Sequence, residues 1–172
     1  MNNSHPLCLF GTSNITAENF ADGLEFRFKP DKTWEDADQE DKDAVTRLWT
    51  WINSVKNDPA RFRAECADYF NVNSLFGWYI ITDYLMAVDS RAKNMMFCTW
   101  DGVHWYILPY DMDTILGGRN DSVLKYDYTM TWETFDDSIG SYAMAGHDSI
   151  LWKLVRSWPE KLQEVAGNIR SN

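Results

Sequence analysis

The chain has 172 residues, 45% of them hydrophobic, and carries 26 acidic against 16 basic side chains, for a net charge of −10 at pH 7. This length suits one ordinary domain with its own core. The negative charge repels phosphate backbones, so we expect no direct binding to nucleic acid. The most apolar stretch, Leu75–Val88, contains Asp83 and is too short to cross a bilayer, so we expect no membrane helix.

Three cysteines, Cys8, Cys66 and Cys98, stand far apart and form no Cys-x-x-Cys pair. Their odd number and their spacing indicate reduced thiols in a reducing compartment and no structural zinc site. The N-terminus lacks the basic region and the apolar run of a signal peptide. We therefore expect a cytoplasmic protein, or one incorporated in a larger assembly.

Two short strand patterns precede the first predicted helix. Leu7–Phe10 is the weaker one and is followed by a predicted turn at Gly11–Asn14, whereas Leu24–Lys29 alternates apolar and polar residues as a half-buried strand does. The acidic run Asp31–Asp43 is typical of a solvated loop that leads into a helix N-terminus, where the helix dipole favours negative charge. Calcium binding is the less favoured interpretation, because the spacing of an EF-hand loop is missing.

Five helices are predicted from apolar positions at helical spacing and from their cap residues. The third has no polar face, which predicts a helix buried at the centre of the domain. It leads directly into Asp89, so a rigid element carries the loop that follows. The predicted ranges are about Asp38–Lys56, Pro59–Tyr69, Ser74–Val88, Ile150–Trp158 and Pro159–Ile169, and residues 125–145 are predicted to be irregular.

The dipeptide Asp101-Gly102 separates two apolar runs, which is a strong hairpin signal. We therefore predict that Met95–Trp100 and Val103–Tyr110 pair as strands. Such a hairpin brings the residues before its first strand close to those after its second strand.

Four polar residues fall at that open end of the hairpin. Asp89 and Asn94 come just before the first strand, and Asp111 and Asp113 come just after the second. Carboxylate and amide oxygens gathered in this way suit a hard cation such as Mg²⁺. Local hydrogen bonds in a turn and a solvated loop are the alternative interpretation of these residues.

The order of these residues is that of the C-terminal lobe of protein-kinase folds. There an Asp accepts the proton of the substrate hydroxyl, an Asn five residues later binds a metal ion, and an Asp after the hairpin binds the metal ions on the phosphates. Arg91 stands where kinases often place a Lys directed at the transferred phosphoryl group. In place of the usual His-Arg and Asp-Phe-Gly, this chain has Ala87-Val88 and Asp111-Met112-Asp113.

With these departures, the chain resembles the CotH kinase-like family, which has an atypical kinase fold. The segments that carry the resemblance are Asp-Ser-Arg-Ala-Lys-Asn at 89–94 and Trp-Tyr-Ile-Leu-Pro-Tyr-Asp-Met-Asp-Thr-Ile-Leu-Gly at 105–117, and the likeness covers about residues 65–158. It implies an α+β, mainly helical fold, similar to the C-terminal lobe of a kinase-like fold with a central β-hairpin. Residues 37–172 would form this lobe, and residues 1–36 would be a short strand region in place of the small lobe.

The resemblance also implies a role for each candidate residue. Asp89 would be the catalytic base, assisted by Arg91. Asn94 and Asp111 would be metal ligands, with Asp113 as a second ligand or its partner. The nucleotide would be bound by Lys93, Asn94 and Asp111. The implied reaction is phosphorylation of protein hydroxyls, with ATP and with Mg²⁺ or Mn²⁺ as cofactors.

Part of a kinase ATP site is missing from the pattern. No Gly-x-Gly-x-x-Gly motif precedes the first helix, and Arg27 and Lys29 are the candidate phosphate-facing cations there, although a surface strand is the favoured interpretation. We therefore predict a fragment or a degenerate nucleotide site. The alternative function is a catalytically inactive kinase-like module of a phage virion or a spore coat, which packs on neighbouring subunits instead of acting on a protein substrate.

Two further groups of residues lie outside this pattern. His5, His104 and His147 share no metal-ligand spacing, and His104 is predicted to be a structural histidine on the second strand. Three aromatic residues in the irregular segment are candidates for an exposed docking patch: Tyr126, Tyr128 and Trp132.

Overall fold

The computed structural model describes residues 8–13, 24–26, 36–85, 87, 93–108, 112, 115, 116 and 150–171, and describes the backbone alone at 8–13, 24–26, 93–95, 150 and 152. The fold of these residues is α+β and mainly helical, as predicted. Its elements are β1 (Cys8–Ser13), β2 (Leu24–Phe26), α1 (Gln39–Val55), α2 (Pro59–Glu65), a 3₁₀ turn (Cys66–Asp68), α3 (Val72–Tyr84), β3 (Lys93–Thr99), β4 (Trp105–Leu108), α4 (Ile150–Arg156) and α5 (Pro159–Ser171).

The five predicted helices are confirmed, with shifts of a few residues at most ends. Two of their starts show the expected caps: the Asp58 carboxylate accepts from the Arg61 amide at 3.0 Å, and the Asn71 side chain accepts from the Ser74 amide at 2.9 Å. Pro59 occupies the first turn of α2, where its missing N–H costs nothing. The irregular segment predicted at 125–145 lies outside the described residues.

The core is rich in aromatic side chains, in keeping with the composition. The Trp51 ring stacks on the Tyr69 ring with centroids 4.2 Å apart, and Trp158, at the junction of α4 and α5, receives edge contacts from Phe62 and Phe76. Such pairs add about 0.5–1.5 kcal/mol each beyond the area that they bury. They join α1, α2 and α3 to the C-terminal helices.

The strands form one sheet in the order β2-β1-β3-β4, and every neighbouring pair is antiparallel. The predicted pairing of the hairpin strands is therefore confirmed. The predicted turn at Gly11–Asn14 is wrong for its first three residues, which belong to β1 and pair with Met96, Met95 and Lys93 of β3, and Asn14 lies outside the described residues. The proposed division between residues 36 and 37 stays a prediction.

The outer edge of β4 is held by the chain that leads into α3. The Trp105 amide donates to the Tyr69 carbonyl at 2.8 Å, and the Trp105 carbonyl accepts from the Asn71 amide at 2.9 Å. Two residues further along β4, the Ser74 hydroxyl accepts from the Ile107 amide at 3.0 Å and donates to the Ile107 carbonyl at 3.2 Å. The start of α3 is thereby fixed to the hairpin.

The prediction that α3 is buried all round is wrong for one side of the helix. Residues 75–79 and Thr82 are buried, but Ile81 is 42% exposed and Tyr84 is 76% exposed. The helix also ends at Tyr84 instead of Val88, since the Ala87 amide bonds the Thr82 carbonyl, five residues back, and so leaves the α-helical spacing. An apolar pattern does not reveal which side of a helix its neighbours cover.

Cys66 and Cys98 are buried free thiols, as the sequence indicated. Burial raises the pKa of the Cys66 thiol to about 12 and that of the Cys98 thiol to about 11. None of the described helices is both long and apolar enough to cross a membrane.

Candidate functional site

Most of the predicted site residues lie outside the part of the chain that the structure describes. This holds for Asp89, Arg91, Asp111 and Asp113. It holds also for the other residues considered above, namely Arg27, Lys29, His5, His147, Tyr126, Tyr128 and Trp132. Their predicted roles stay predictions, and the described residues that flank them are Ala87, Lys93, Asn94, Met112 and Leu116.

Lys93 and Asn94 are the first two residues of β3, so the prediction that Asn94 comes before the strand is wrong. The register with β1 runs Thr12 to Met95 and then Ser13 to Lys93, which leaves Asn94 without a partner on β1. This irregularity is a β-bulge. Bulges end regular pairing, turn the strand and are frequent next to active sites. The candidate metal ligand thus occupies a position that a regular strand does not provide.

Two backbone hydrogen bonds lie at the end of α3, a few residues before Asp89. The Leu85 amide donates to the Ile81 carbonyl at 2.9 Å, and the Ala87 amide donates to the Thr82 carbonyl at 2.9 Å. Ala87 is completely buried. Ala87, two residues before Asp89, is therefore held by a hydrogen bond and by packing.

A backbone hydrogen bond joins the two ends of the segment that contains the hairpin. The Leu116 amide donates to the Leu85 carbonyl at 2.6 Å. Leu85 precedes Asp89 by four residues, and Leu116 follows Asp113 by three residues. This contact between distant parts of the chain was not predicted, since no local pattern announces it.

Leu116 has a backbone φ of 58°, in the left-handed region that glycine occupies freely. For a residue with a side chain this conformation costs about 1–2 kcal/mol. The Leu116 side chain is 51% exposed, so packing accounts for little of its position. Its amide, in contrast, supplies a donor to the carbonyl of the α3 C-cap residue.

Met112, which stands between the two candidate carboxylates in sequence, is partly buried and packs against the main core. Methionine fills irregular apolar gaps well because its side chain is unbranched and flexible. The segment after β4 is therefore fixed at two described points, Met112 in the core and Leu116 on Leu85.

At the opposite end of the hairpin, five residues link the strands, from Trp100 to His104, where the Asp-Gly pattern had predicted a two-residue turn. The Asp101 carboxylate accepts from the Val103 and His104 amides, each at 2.8 Å, and contacts the His104 Nδ1 at 2.7 Å. Gly102 takes a positive φ of 70°. His104 therefore lies in the turn and not on the second strand, as an exposed residue paired with Asp101.

The turn lowers the pKa of the Asp101 carboxyl. Partial burial acts to raise the pKa of Asp101, but it is outweighed by hydrogen bonds from His104, Val103 and Thr99, and the pKa of this carboxyl lies well below its usual value. An open groove of about 400 Å³ lies beside the turn, lined by Glu40, Asp43, Ala44, Arg47, Asp101 and Gly102. The groove lies at the turn end of the hairpin and Lys93 and Asn94 at its open end, so we assign the groove no part in the predicted chemistry.

Among the described residues, no group of three or more His, Cys, Asp or Glu side chains is arranged to hold a metal ion.

The model of the CotH kinase protein family matches residues 14–160. The chain belongs to the CotH kinase protein family. The resemblance to this family over residues 65–158 is therefore confirmed, and the family match begins further upstream, at residue 14. No curated protein and no solved structure matches the chain.

Proposed function

We propose that this CotH kinase family member transfers a phosphoryl group from ATP to a protein hydroxyl in a site that depends on Mg²⁺ or Mn²⁺. The observation that carries the proposal is the hydrogen bond between the Leu116 amide and the Leu85 carbonyl. Three or four residues of extended chain span at most about 14 Å. Since the bond joins Leu85 to Leu116, Asp89, four residues from Leu85, and Asp113, three residues from Leu116, can be at most about 30 Å apart, which is compatible with a shared site.

In this proposal the hydroxyl oxygen of the acceptor attacks the γ-phosphorus, the Asp89 carboxylate accepts the hydroxyl proton, and the bond from the γ-phosphorus to the bridging oxygen breaks, with ADP as the leaving group. Arg91 and Lys93 offset the negative charge of the phosphoryl oxygens. The bulge at Asn94 supports a special role for this residue, since it lies where the strand leaves its regular register.

The donor set fits a hard divalent cation. The side chains of Asn94, Asp111 and Asp113 offer amide and carboxylate oxygens, which Mg²⁺ and Mn²⁺ prefer, with Asp111 as the main ligand. When bound, the cation neutralises charge on the phosphates during transfer. Such neutralisation matters in a chain with a net charge of −10, which otherwise repels a polyphosphate.

The test is phosphate transfer from γ-labelled ATP, with the full-length protein, an added mixture of candidate acceptor proteins, and Mg²⁺ or Mn²⁺. We expect labelled protein with the wild type and none with Asp89→Asn, which keeps the side-chain shape but removes the base. Circular dichroism and the melting temperature verify that the variant is folded. Asp68→Asn, an exposed change in the 3₁₀ turn, is the matched control and should retain activity. Absence of transfer by the wild type under all metal conditions would refute the enzymatic proposal.

One observation favours a second function, that of an inactive building block. Ala87 is fully buried at the place where kinases carry the His of the His-Arg pair that precedes the catalytic Asp. On this alternative, the chain packs on neighbouring subunits of a virion or coat. Purified particles should then contain it at a fixed stoichiometry, and Asp89→Asn should leave assembly unchanged.

A further inference from the structure

Two described residues close in sequence to Asp111 and Asp113, namely Met112 and Leu116, are held by contacts that do not involve a ligand. Met112 packs against the core, and the Leu116 amide bonds the Leu85 carbonyl at 2.6 Å. Only three residues separate these two fixed points, and one of them, Ile115, is itself half-buried. Met112 and Leu116 are therefore described points at which the chain after β4 contacts the core or the end of α3.

The position of Leu116 is accounted for by its backbone and not by its side chain. Its side chain is half exposed, and its φ of 58° is disfavoured for every residue with a β-carbon. Among the described residues other than glycine, it alone has a positive φ. The unfavourable conformation is maintained together with a hydrogen bond to α3, a helix whose other end is fixed to β4 through Asn71 and Ser74.

We propose that the Leu116–Leu85 hydrogen bond is a positioning latch, which holds the Asp111–Asp113 segment at the end of α3 and thereby sets the metal affinity of the site. This inference rests on the proposed function, because it requires that the two carboxylates bind the cation. Ligands that are held in place before the metal arrives lose less conformational freedom on binding and therefore bind more tightly. Leu116 is on this view a positioning residue, and Met112 is its partner in the core.

The two substitutions that test the latch affect the backbone at one position in opposite ways. Leu116→Pro removes the N–H donor and fixes φ near about −65°, so it breaks the latch. Leu116→Gly keeps the donor and adopts a positive φ without strain, so it keeps the latch while removing the side chain. We expect Leu116→Pro to weaken Mn²⁺ binding by about tenfold or more, as the loss of groups that orient metal ligands does. Leu116→Gly should stay within about threefold of the wild type on the same scale.

The measurement is calorimetric titration of the whole chain with MnCl₂, at a temperature at which circular dichroism shows each variant to be folded. If Leu116→Pro does not fold, Leu116→Val replaces it, because a β-branched residue keeps the amide but resists a positive φ. Met112→Ala should also weaken Mn²⁺ binding, and Met112→Leu, which preserves apolar volume, should not.

The outcomes separate the latch from the function on which it rests. Wild-type binding with equal affinity in the Pro, Val and Gly variants at position 116 would overturn the latch and leave the metal site intact. A lower melting temperature without a change in Mn²⁺ affinity would do the same, since it would show a purely structural role. A wild type that gives no binding heat would refute the metal site and the latch together.

Discussion

The Ser74 hydroxyl is hydrogen-bonded to both backbone groups of Ile107, accepting from the amide at 3.0 Å and donating to the carbonyl at 3.2 Å. The side chain of this helical residue thus makes the two backbone hydrogen bonds that a neighbouring strand would make in a sheet. Because Ser74 lies in the first turn of α3, this contact fixes the helix that leads towards Asp89 to the hairpin that leads towards Asp111.

Replacing this hydroxyl should destabilise the fold. Ser74→Ala leaves the amide and carbonyl of Ile107 without their partner, which should lower the free energy of unfolding by about 1–2 kcal/mol. Urea denaturation followed by circular dichroism measures the change. Ser54→Ala is the matched control, since Ser54 is an exposed residue whose hydroxyl donates to the Trp51 carbonyl of its own helix, and it should change stability by less than about 0.5 kcal/mol. Equal losses in the two variants would contradict the bridging role of Ser74.

The hairpin turn should make stability depend on acidic pH. The pKa of Asp101 is lowered in the folded state, so its ionised form contributes stability that is fully present above its unfolded pKa of about 4 and is lost as pH falls further. We expect Asp101→Asn to remove this contribution. The stability difference between wild type and variant should be constant from about pH 5 to 7 and should shrink below about pH 4.

A second change at the same position separates charge from hydrogen bonding. Asp101→Asn keeps an oxygen for the Val103 and His104 amides, whereas Asp101→Ala removes it, so the Ala variant should be less stable by about a further 1 kcal/mol. Urea titrations at several pH values measure both effects. A difference between wild type and Asp101→Asn that persists unchanged at pH 3 would contradict the lowered pKa.

The two buried thiols should react only when the protein unfolds. With pKa values raised to about 12 and about 11, Cys66 and Cys98 hold almost no thiolate at pH 8, and the thiolate is the reactive form. In a Cys8→Ser background, alkylation by iodoacetamide should be slow without urea and rapid above the unfolding midpoint. Mass spectrometry after timed quenching identifies the modified peptide, and fast native labelling of Cys66 would contradict its burial.

The metal ligands can be tested apart from catalysis. Asp111→Ala should abolish the heat of Mn²⁺ binding, and Asp113→Ala should weaken it, because Asp111 is the proposed main ligand. Asp121→Ala, outside the proposed donor set, is the control and should bind as the wild type does. Equal heats for wild type and Asp111→Ala would remove Asp111 from the site.

The sequence predicted what local rules determine. The Asp58 and Asn71 caps and the apolar spacing of α1 placed the helices, and the Asp-Gly pair placed the hairpin. It did not predict the length of the turn, because the Asp101 carboxylate collects the amides of Val103 and His104 and so favours a five-residue connection.

These local rules did not predict contacts between residues that are far apart in the sequence. Gly11 looked like a turn residue, yet it pairs with Met96, 85 positions away, and a strand partner at that distance overrides the local preference for a turn. The bulge at Asn94 depends on the same pairing, and the bond from Leu116 to Leu85 depends on where α3 ends. The roles of the candidate residues stay predictions, and the contacts around them are visible only in the structure.

The engagement of β4 by the segment before α3 has a consequence for how copies of this domain can associate. The outward backbone groups of Trp105 and Ile107 already have partners at Tyr69, Asn71 and Ser74. A strand from a second molecule therefore finds no free donor or acceptor at these positions, and fibre-like growth across this side of the sheet is blocked. If this family member is stacked into a particle, its neighbours cannot extend the sheet past β4 at these positions.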